Sequence, residues 1–361
     1  MNDALYMKRA LSLARRAIGR TSPNPMVGAL LVRRGSIIAE GYHKKAGTPH
    51  AEAIAIDRAG RRAAGSTLYV TLEPCCHKDK RTPPCTDKII SAGIRDVVIA
   101  MRDPNPRVSG RGIAMLEDAG IRVRSGILEA QALTLNEFYI KHITTGLPFV
   151  LLKVAMTLDG KIATPEGESR WITGEKARRE VHRLRGSVDA VLTAIGTVRA
   201  DNPSLTCRAV RGKNPVRVVI DPLLGIMPGA QLLTCPPQTI IVAREDAPGE
   251  GRDLLGRNGV SVMRYPGRRL DPAWLMKELH ASGITSVLVE GGSSLNSSCL
   301  EAGIVDKVVF YIAPKIIGGR DSFPAVGGGT FRTLRDAFRL TRTVFRRTGE
   351  DLVVEGYLEK P

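Results

Sequence analysis

An α/β protein of two domains is predicted by three observations. The chain has 361 residues, too many for one ordinary domain and suited to two at about 150 residues each. Apolar runs of strand length alternate with amphipathic stretches of helix length in both halves, which implies largely parallel sheets with helices on both faces. In the middle, Thr144-Thr145-Gly146-Leu147-Pro148 is a turn-rich stop that places the boundary between residues 1–146 and 147–361.

Taken in order, residues 3–18 carry Tyr6, Ala10, Leu13, Ala14 and Ala17 at helical spacing, closed by Gly19. No helix tolerates Pro23-Asn24-Pro25. Val27 to Val32 and Ser36 to Tyr42 flank Arg33-Arg34-Gly35 as a hairpin. A helix over residues 50–59 holds His50 and Glu52 in its first turn. Ser66 to Leu72 form a strand, and Pro83-Pro84-Cys85 opens a helix that runs to Ala92. Strand Asp96 to Met101, helix Arg111 to Ala119, strand Ile121 to Arg124 and helix Glu129 to Ile143 complete the first half.

The second half restarts with strand Phe149 to Met156. Further strands are expected at Ala190 to Thr193, Val216 to Ile220, Thr239 to Ala243, Val260 to Met263, Ser286 to Glu290, Val308 to Ala313 and Leu352 to Leu358. Helices are expected at Glu175 to Arg185, Pro272 to Ala281 and Leu295 to Ala302. Gly327-Gly328-Gly329 reads as a mobile loop and Asp159-Gly160 as a turn. Cys207, Cys235 and Cys299 read as small buried hydrophobes.

The formal charge is +17, from 53 basic and 36 acidic side chains. Of these, 23 basic and 13 acidic fall in residues 1–146, and 30 and 23 in residues 147–361; neither half has three consecutive Lys or Arg. Nucleic-acid tails are blocks of like charge, whereas scattered arginines suit solvated faces or anchors for small phosphorylated ligands. The best rival patch is Arg332, Arg335, Arg339, Arg342, Arg346 and Arg347. Six cysteines without a regular ladder argue against a secreted disulfide scaffold and for reduced thiols in the cytoplasm. No targeting segment is expected, since Met1 to Ala14 includes Asp3, Lys8 and Arg9, and no run approaches the roughly 18 apolar residues of a membrane span. A soluble chain follows.

The chemistry is concentrated between Thr48 and Cys85. There the sequence reads T-P-H-A-E and then T-L-E-P-C-C-H-K-D-K-R-T-P-P-C. A catalytic Zn²⁺ takes three nitrogen or sulfur ligands and leaves the fourth position to water. His50, Cys75 and Cys85 provide such a set. Glu52 does not share a helix face with His50 at i+2, and its assigned job is moving protons. The order is that of nucleobase deaminases, H-x-E followed by P-C-x-x-C. The second spacing departs, since nine residues separate Cys75 from Cys85.

T-L-E-P-C, R-T-P-P-C, S-P-N-P-M-V-G from Ser22 and G-Y-H from Gly41 resemble the bifunctional riboflavin-biosynthesis deaminase/reductase family. That family usually has one residue fewer between its cysteines and a serine where Cys76 stands, so Cys75 and Cys76 are both possible ligands. The resemblance implies a cytidine-deaminase-like layered sandwich in residues 1–146. It also implies that Asn24, His43 and His77 touch the pyrimidine or its phosphate; the plainer alternative for the two histidines is a structural role.

No G-x-G-x-x-G follows a strand, so the usual dinucleotide fingerprint is absent. The one phosphate-cradle candidate is V-E-G-G-S-S-L-N-S from Val289, a strand opening into a helix whose N–H groups can hold an anion. L-K-V-A-M-T-L-D-G-K-I-A from Leu152, G-E-S-R-W-I-T from Gly167, H-R-L-R-G-S-V-D-A from His182, G-T-V-R-A-D-N-P-S-L-T-C-R from Gly196 and Y-I-A-P-K-I-I-G-G from Tyr311 resemble the reductase half of the same family. This implies a dihydrofolate-reductase-like domain that uses NADPH. By position, Ala155, Trp171, Thr197, Asp201, Gly292, Ser293, Ser294, Leu295, Asn296, Ser297 and Ser298 would face the cofactor. Ser169, Arg185, Leu205, Arg208 and Glu290 would face the substrate, with Arg185 and Arg208 as phosphate clamps. Taken alone, Trp171 suits a core and the two arginines a surface.

The function expected is zinc-dependent deamination of a diaminopyrimidinone ribosyl phosphate, followed by NADPH-dependent reduction of its ribose to a ribityl chain. The partner implied is that small phosphorylated pyrimidine, without nucleic acid or membrane, and a homo-oligomer is compatible. Two alternatives are a nucleobase or tRNA deaminase, which would not need residues 150–361, and a zinc-stabilised binding module. The module would need a fourth ligand such as His77 or Cys76, and would have no use for Glu52.

Overall fold

A computed structural model describes residues 3–77, 83–210, 212–234, 236–248, 260–329 and 333–359. The chain divides into two compact units, Met1–Leu147 and Pro148–Pro361. The first contains helices α1 (Asp3–Arg15), α2 (Ala51–Ala59), α3 (Cys85–Ser91), α4 (Arg111–Asp118), α5 (Glu129–Leu135) and α6 (Glu137–Thr145). Its strands are β1 (Gly28–Arg33), β2 (Ser36–Tyr42), β3 (Thr67–Leu72), β4 (Asp96–Met101) and β5 (Arg122–Ser125), in the sheet order β2-β1-β3-β4-β5.

This sheet is mixed, not largely parallel. β3, β4 and β5 run parallel, but β1 is antiparallel to both β2 and β3. The β1–β2 turn makes the first of those pairs unavoidable, because Arg34 and Gly35 both sit at positive φ, 51° and 77°, as a two-residue hairpin loop requires. Two glycines set the layers. Ala29 pairs with Gly41, so Gly28, its neighbour, points to the opposite face from Gly41. A Cβ on Gly28 would lie 2.1 Å from the Ala10 carbonyl oxygen of α1, and one on Gly41 would lie 2.3 Å from that of Ala51 in α2. Only glycine admits the two helices so close, one on each face. β3 and β4, buried along their whole length, form the core between them.

The helix expected over Glu129 to Ile143 is two helices. Asn136 interrupts it because its buried amide pairs with the Met26 backbone, accepting from Met26 N at 2.8 Å and donating to Met26 O at 3.1 Å. That pairing fixes Asn136 outside helical geometry, at φ −108° and ψ 19°.

The second unit holds β6 (Phe149–Thr157), β7 (Lys161–Ala163), β8 (Ala190–Ala194), β9 (Val216–Ile220), β10 (Thr239–Arg244), β11 (Val260–Tyr265), β12 (Ser286–Val289), β13 (Lys307–Ala313), β14 (Phe323–Pro324), β15 (Leu340–Thr348) and β16 (Asp351–Leu358). Its helices are α7 (Glu175–Ser187), α8 (Ile195–Asp201), α9 (Gln231–Thr234), α10 (Pro272–Ala281) and α11 (Ser293–Glu301). The nine-stranded sheet has the order β11-β10-β9-β8-β12-β6-β13-β16-β15. Strands from β11 to β13 are parallel, and β16 and β15 add an antiparallel edge. β7 and β14 pair separately.

Three readings of this half are corrected. β15 occupies a stretch expected only as a basic patch, and two of its three arginines are engaged: Arg342 lies 3.6 Å from the Tyr357 ring centre, and Arg346 pairs with Glu180 and Glu355. Arg332 falls outside the described residues. Gly327-Gly328-Gly329 is packed against α11, where a Cβ on Gly327 or Gly328 would come within 2.5 Å of the Ser293 hydroxyl or 2.4 Å of the Glu301 carboxylate. α11 starts two residues earlier than the expected Leu295, at Ser293, which moves its N-terminus to the Gly291-Gly292 turn. Cys207 and Cys299 are buried as expected, and burial pushes the Cys299 thiol up to about 12; Cys235 lies outside the described residues. Among the described residues no cysteine is in a disulfide, and no helix is long and apolar enough to cross a membrane.

Candidate metal centre and cofactor cleft

α2 begins at Ala51 with His50 as its N-cap, still in extended conformation at ψ 163°. The cap position swings the imidazole off the helix axis toward two other chain ends. One is the loop after β3, which carries Cys75; the other is the first residue of α3, Cys85. The two segments are joined by Thr86 N donating to the Cys75 carbonyl at 3.3 Å. His50 Nδ1 lies 3.2 Å from Cys85 Sγ and 3.5 Å from Cys75 Sγ. One ligand atom from each of the three residues falls within 4.8 Å of the others. Cys76 is not in this group: its sulfur is turned to the Arg107 carbonyl at 3.9 Å, and burial pushes its thiol above the ordinary value.

Glu52 is buried in the first turn of α2, 4% exposed, and its Oε2 has no hydrogen-bond partner among the described residues. Burial, then the adjacent Cys75 sulfur, raises its carboxyl above the ordinary carboxylate range. A buried oxygen without a partner is costly, so it fits a site completed by a solvent molecule on a metal. The donor set itself, one imidazole and two thiols, is what Zn²⁺ takes.

His43 is buried edge-on to His50, with ring centres 5.4 Å apart. Its Nδ1 lies 3.2 Å from the Pro49 carbonyl and its Nε2 lies 3.3 Å from the Asn24 amide nitrogen. A carbonyl accepts only, so Nδ1 carries the proton and Nε2 accepts from Asn24. Burial lowers the His43 pKa in agreement with that neutral form. Asn24 and His43 thus border the His50 cluster. His77 follows Cys76 in the same loop and is half-buried.

Glu73 went unassigned in the sequence. It is 2% exposed and its two oxygens accept four backbone N–H groups: Asp103 at 3.2 Å, Gly110 at 3.0 Å, Gly112 at 3.0 Å and Ile113 at 3.2 Å. The signal is an acidic residue directly after a strand, Thr67–Leu72, that carries no charged side chain. Asp103, next in this chain of contacts, accepts from Asn105 N at 2.9 Å and from the Tyr139 hydroxyl at 2.9 Å; burial raises its carboxyl to about 6.

The second unit contains a cleft of about 940 Å³. It brings together Ala155, Trp171, Thr197, Asp201, Gly292, Ser293, Ser294 and Leu295 with Ser169, Arg185, Leu205, Arg208 and Glu290. Asn296, Ser297 and Ser298 do not line it. Helical geometry turns them away: Asn296 is buried and donates to the Ala325 carbonyl at 2.8 Å, Ser297 bonds the Ser294 carbonyl at 3.0 Å, and Ser298 is exposed elsewhere. Trp171 is not a core aromatic; it is 60% exposed, with Arg178 4.5 Å from its ring centre. Ser169 donates to Asp201 at 2.9 Å. Gly292 caps α11 without any side-chain bond, and Ser293, Ser294 and Leu295 of the first turn line the cleft, a helix start of the kind that suits phosphate.

At the cleft floor Glu290 binds Arg185 in a fork, 2.6 and 3.0 Å, and Lys153 at 3.2 Å. Burial would raise this carboxyl, but Arg185 and then Lys153 outweigh it and hold it at about 2. Arg185 also donates to the Thr206 carbonyl at 3.2 Å, so its guanidinium is committed within the protein, whereas Arg208 is exposed and bonded to the Ser204 hydroxyl. Lys153, unassigned in the sequence, was concealed inside a strand. Removing one member of a buried ion pair strands the others, at about 3–5 kcal/mol. Glu290→Ala is therefore expected to lower stability by that amount, measured as an earlier urea transition of the full chain. Because the folded carboxyl lies below its ordinary value, the wild-type contribution is complete above about pH 4.5 and is lost as pH falls toward 2.

Residues 1–101 match the family described as the cytidine and deoxycytidylate deaminase zinc-binding region, and residues 148–354 match the RibD C-terminal domain. The chain is 42% identical to riboflavin biosynthesis protein RibD of Actinobacillus pleuropneumoniae, over 100% of this chain and 96% of that protein. It is 44% identical to the same-named protein of Aquifex aeolicus, over 98% and 97%. Among solved structures it superposes on Acinetobacter baumannii RibD with a TM-score of 0.89, at 36% identity and 99% coverage of both chains. A Thermotoga maritima diaminohydroxyphosphoribosylaminopyrimidine deaminase/5-amino-6-(5-phosphoribosylamino)uracil reductase aligns with a TM-score of 0.86, at 39% identity over 99% of this chain and 98% of that one.

Proposed function

The chain belongs to the RibD family of bifunctional riboflavin-biosynthesis enzymes, with an N-terminal deaminase and a C-terminal reductase domain, and from that premise we propose a substrate, a cofactor and a role for each site residue. The substrate is a diaminopyrimidinone ribosyl phosphate, the compound class named for the Thermotoga relative. The observation that carries the first step is the convergence of His50, Cys75 and Cys85 within 4.8 Å beside the buried Glu52. His50, Cys75 and Cys85 would hold Zn²⁺, which would supply Lewis-acid activation of water. Glu52, buried beside them, is the group that takes up a proton and returns it to the departing ammonia. His43, as an Nδ1-protonated neutral ring fixed by Pro49, and Asn24 orient the pyrimidine, with His77 at the loop that follows.

In the second unit the residues that bind the cofactor are Ala155, Trp171, Thr197, Asp201 and the α11 N-terminus, and NADPH supplies the hydride. NADPH is preferred to NADH on the family resemblance and on the basic lining, where Arg170, Arg178 and Arg179 join Arg208. Ser169, Leu205 and Glu290 face the ribose. Since Arg185 is spent on Glu290, the phosphate falls to Arg208. The thiols suit a reducing compartment, the cytoplasm.

Incubation with the diaminopyrimidinone phosphate, with and without NADPH, tests this by mass. Replacement of NH by O, the net of one water gained and one ammonia lost, is expected without NADPH, and the same replacement plus a gain of two hydrogens with it. Arg208→Ala is expected to raise the KM of the reductase step by roughly 10–100-fold, the loss of one charge-assisted contact of about 1.5–3 kcal/mol. Ammonia release in that variant stays at the wild-type rate; an equal fall in both steps rules out the assignment.

A further inference from the structure

Resting on the metal reading above, we infer that Glu73 is a positioning residue of the zinc centre, selecting Cys75 over Cys76 by locking the loop that carries both. The carboxylate stands two residues before Cys75 and is held from four directions, by the N–H groups of Asp103, Gly110, Gly112 and Ile113. Three of these belong to the start of α4, whose cap residue Gly110 supplies no side chain of its own. Glu73 therefore serves as the missing cap of α4 from a distant strand end, satisfying donors that a helix start leaves open. Its own backbone N–H donates to the Met101 carbonyl at 3.0 Å, so the Leu72–Glu73 peptide is pinned to the end of β4 as well.

The same contact clamps the next residue. A Cβ on Gly112 would lie 2.2 Å from the Pro74 carbonyl oxygen, so the first turn of α4 rests directly on the Pro74 peptide. With Glu73 and Pro74 immobile, the chain has one way to continue: Cys75 faces His50 at 3.5 Å and Cys76 faces Arg107. Glu73 lies outside the group of ligand atoms, and acts only through the backbone that leads to Cys75.

Glu73→Gln is the test because it keeps shape and removes acceptors. An amide offers one oxygen, and its NH₂ would confront N–H donors, so at least one end of the clamp opens. Outer-shell partners of metal ligands typically govern affinity by roughly 10–100-fold. The variant is expected to lose zinc to a competing chelator 10–100-fold more readily than the wild type. The visible spectrum of the Co²⁺-loaded full chain is expected to shift, reporting altered sulfur geometry in the folded protein. If Glu73→Gln does not fold, Glu73→Asp, which keeps the charge but shortens its reach, takes the same two measurements. Wild-type affinity together with a wild-type Co²⁺ spectrum overturns the inference alone. A wild-type chain that binds no zinc overturns the metal reading and this inference with it.

Discussion

Glu52→Gln is expected to bind zinc at about one ion per chain, as the wild type does, and to release ammonia roughly 10²–10⁴-fold more slowly, the usual worth of a positioned general acid–base group. The glutamine has the same shape and leaves His50, Cys75 and Cys85 untouched, so the metal has no reason to leave. What changes is the proton inventory. The carboxyl is buried, with its pKa raised by burial and by the Cys75 sulfur, which makes it a better proton acceptor than a surface glutamate. Its Oε2, lacking a partner among the described residues, is placed to receive a proton. An amide can do neither. Metal analysis and an ammonia assay on the same sample decide the matter: loss of zinc in the variant makes Glu52 a ligand, and retained activity removes it from the chemistry.

The convergence of His50, Cys75 and Cys85 was legible in the sequence because ligand chemistry is specified by residue type and order. Imidazole, carboxylate and two thiols in H-A-E and P-C must be brought together by any fold that uses them, and the strand and helix ends that do so are local features. The cleft was legible only through resemblance. Glu290 and Lys153 are 137 residues apart, and nothing in either segment announces that they meet Arg185 in one buried network. Glu73 escaped for a related reason: its partners are backbone N–H groups, which carry no sequence signature. The parallel core of the second sheet was predicted from its apolar runs, whereas β15 was not. An edge strand with arginines stacked on Tyr357 or paired to Glu180 and Glu355 looks, residue by residue, like a solvated charge patch. Asn136 likewise looked helical until its amide found Met26 across 110 residues.

The two adjacent cysteines give the sharpest remaining contrast. Cys75→Ser is expected to lose zinc and ammonia release together, and Cys76→Ser to keep both. A hydroxyl is a far poorer Zn²⁺ donor than a thiolate, and two protein ligands hold the metal less tightly than three, so affinity should fall by more than the roughly 100-fold seen when only supporting groups are removed. At position 76 the same replacement touches only a sulfur 3.9 Å from the Arg107 carbonyl, outside the group of ligand atoms. The competing possibility is a slip of one residue, which would restore the spacing usual in the family by presenting Cys76 to His50. A longer loop between two fixed ends costs in general only a fraction of a kcal/mol. Slipping Cys75 out of place costs more, because it would break up to four hydrogen bonds to the Glu73 carboxylate, each worth about 1.5–3 kcal/mol when the acceptor is charged. The balance favours Cys75 by several kcal/mol on that scale. Zinc content and ammonia release of the two serine variants settle it, and an active Cys75→Ser beside a metal-free Cys76→Ser would mean that the loop has slipped.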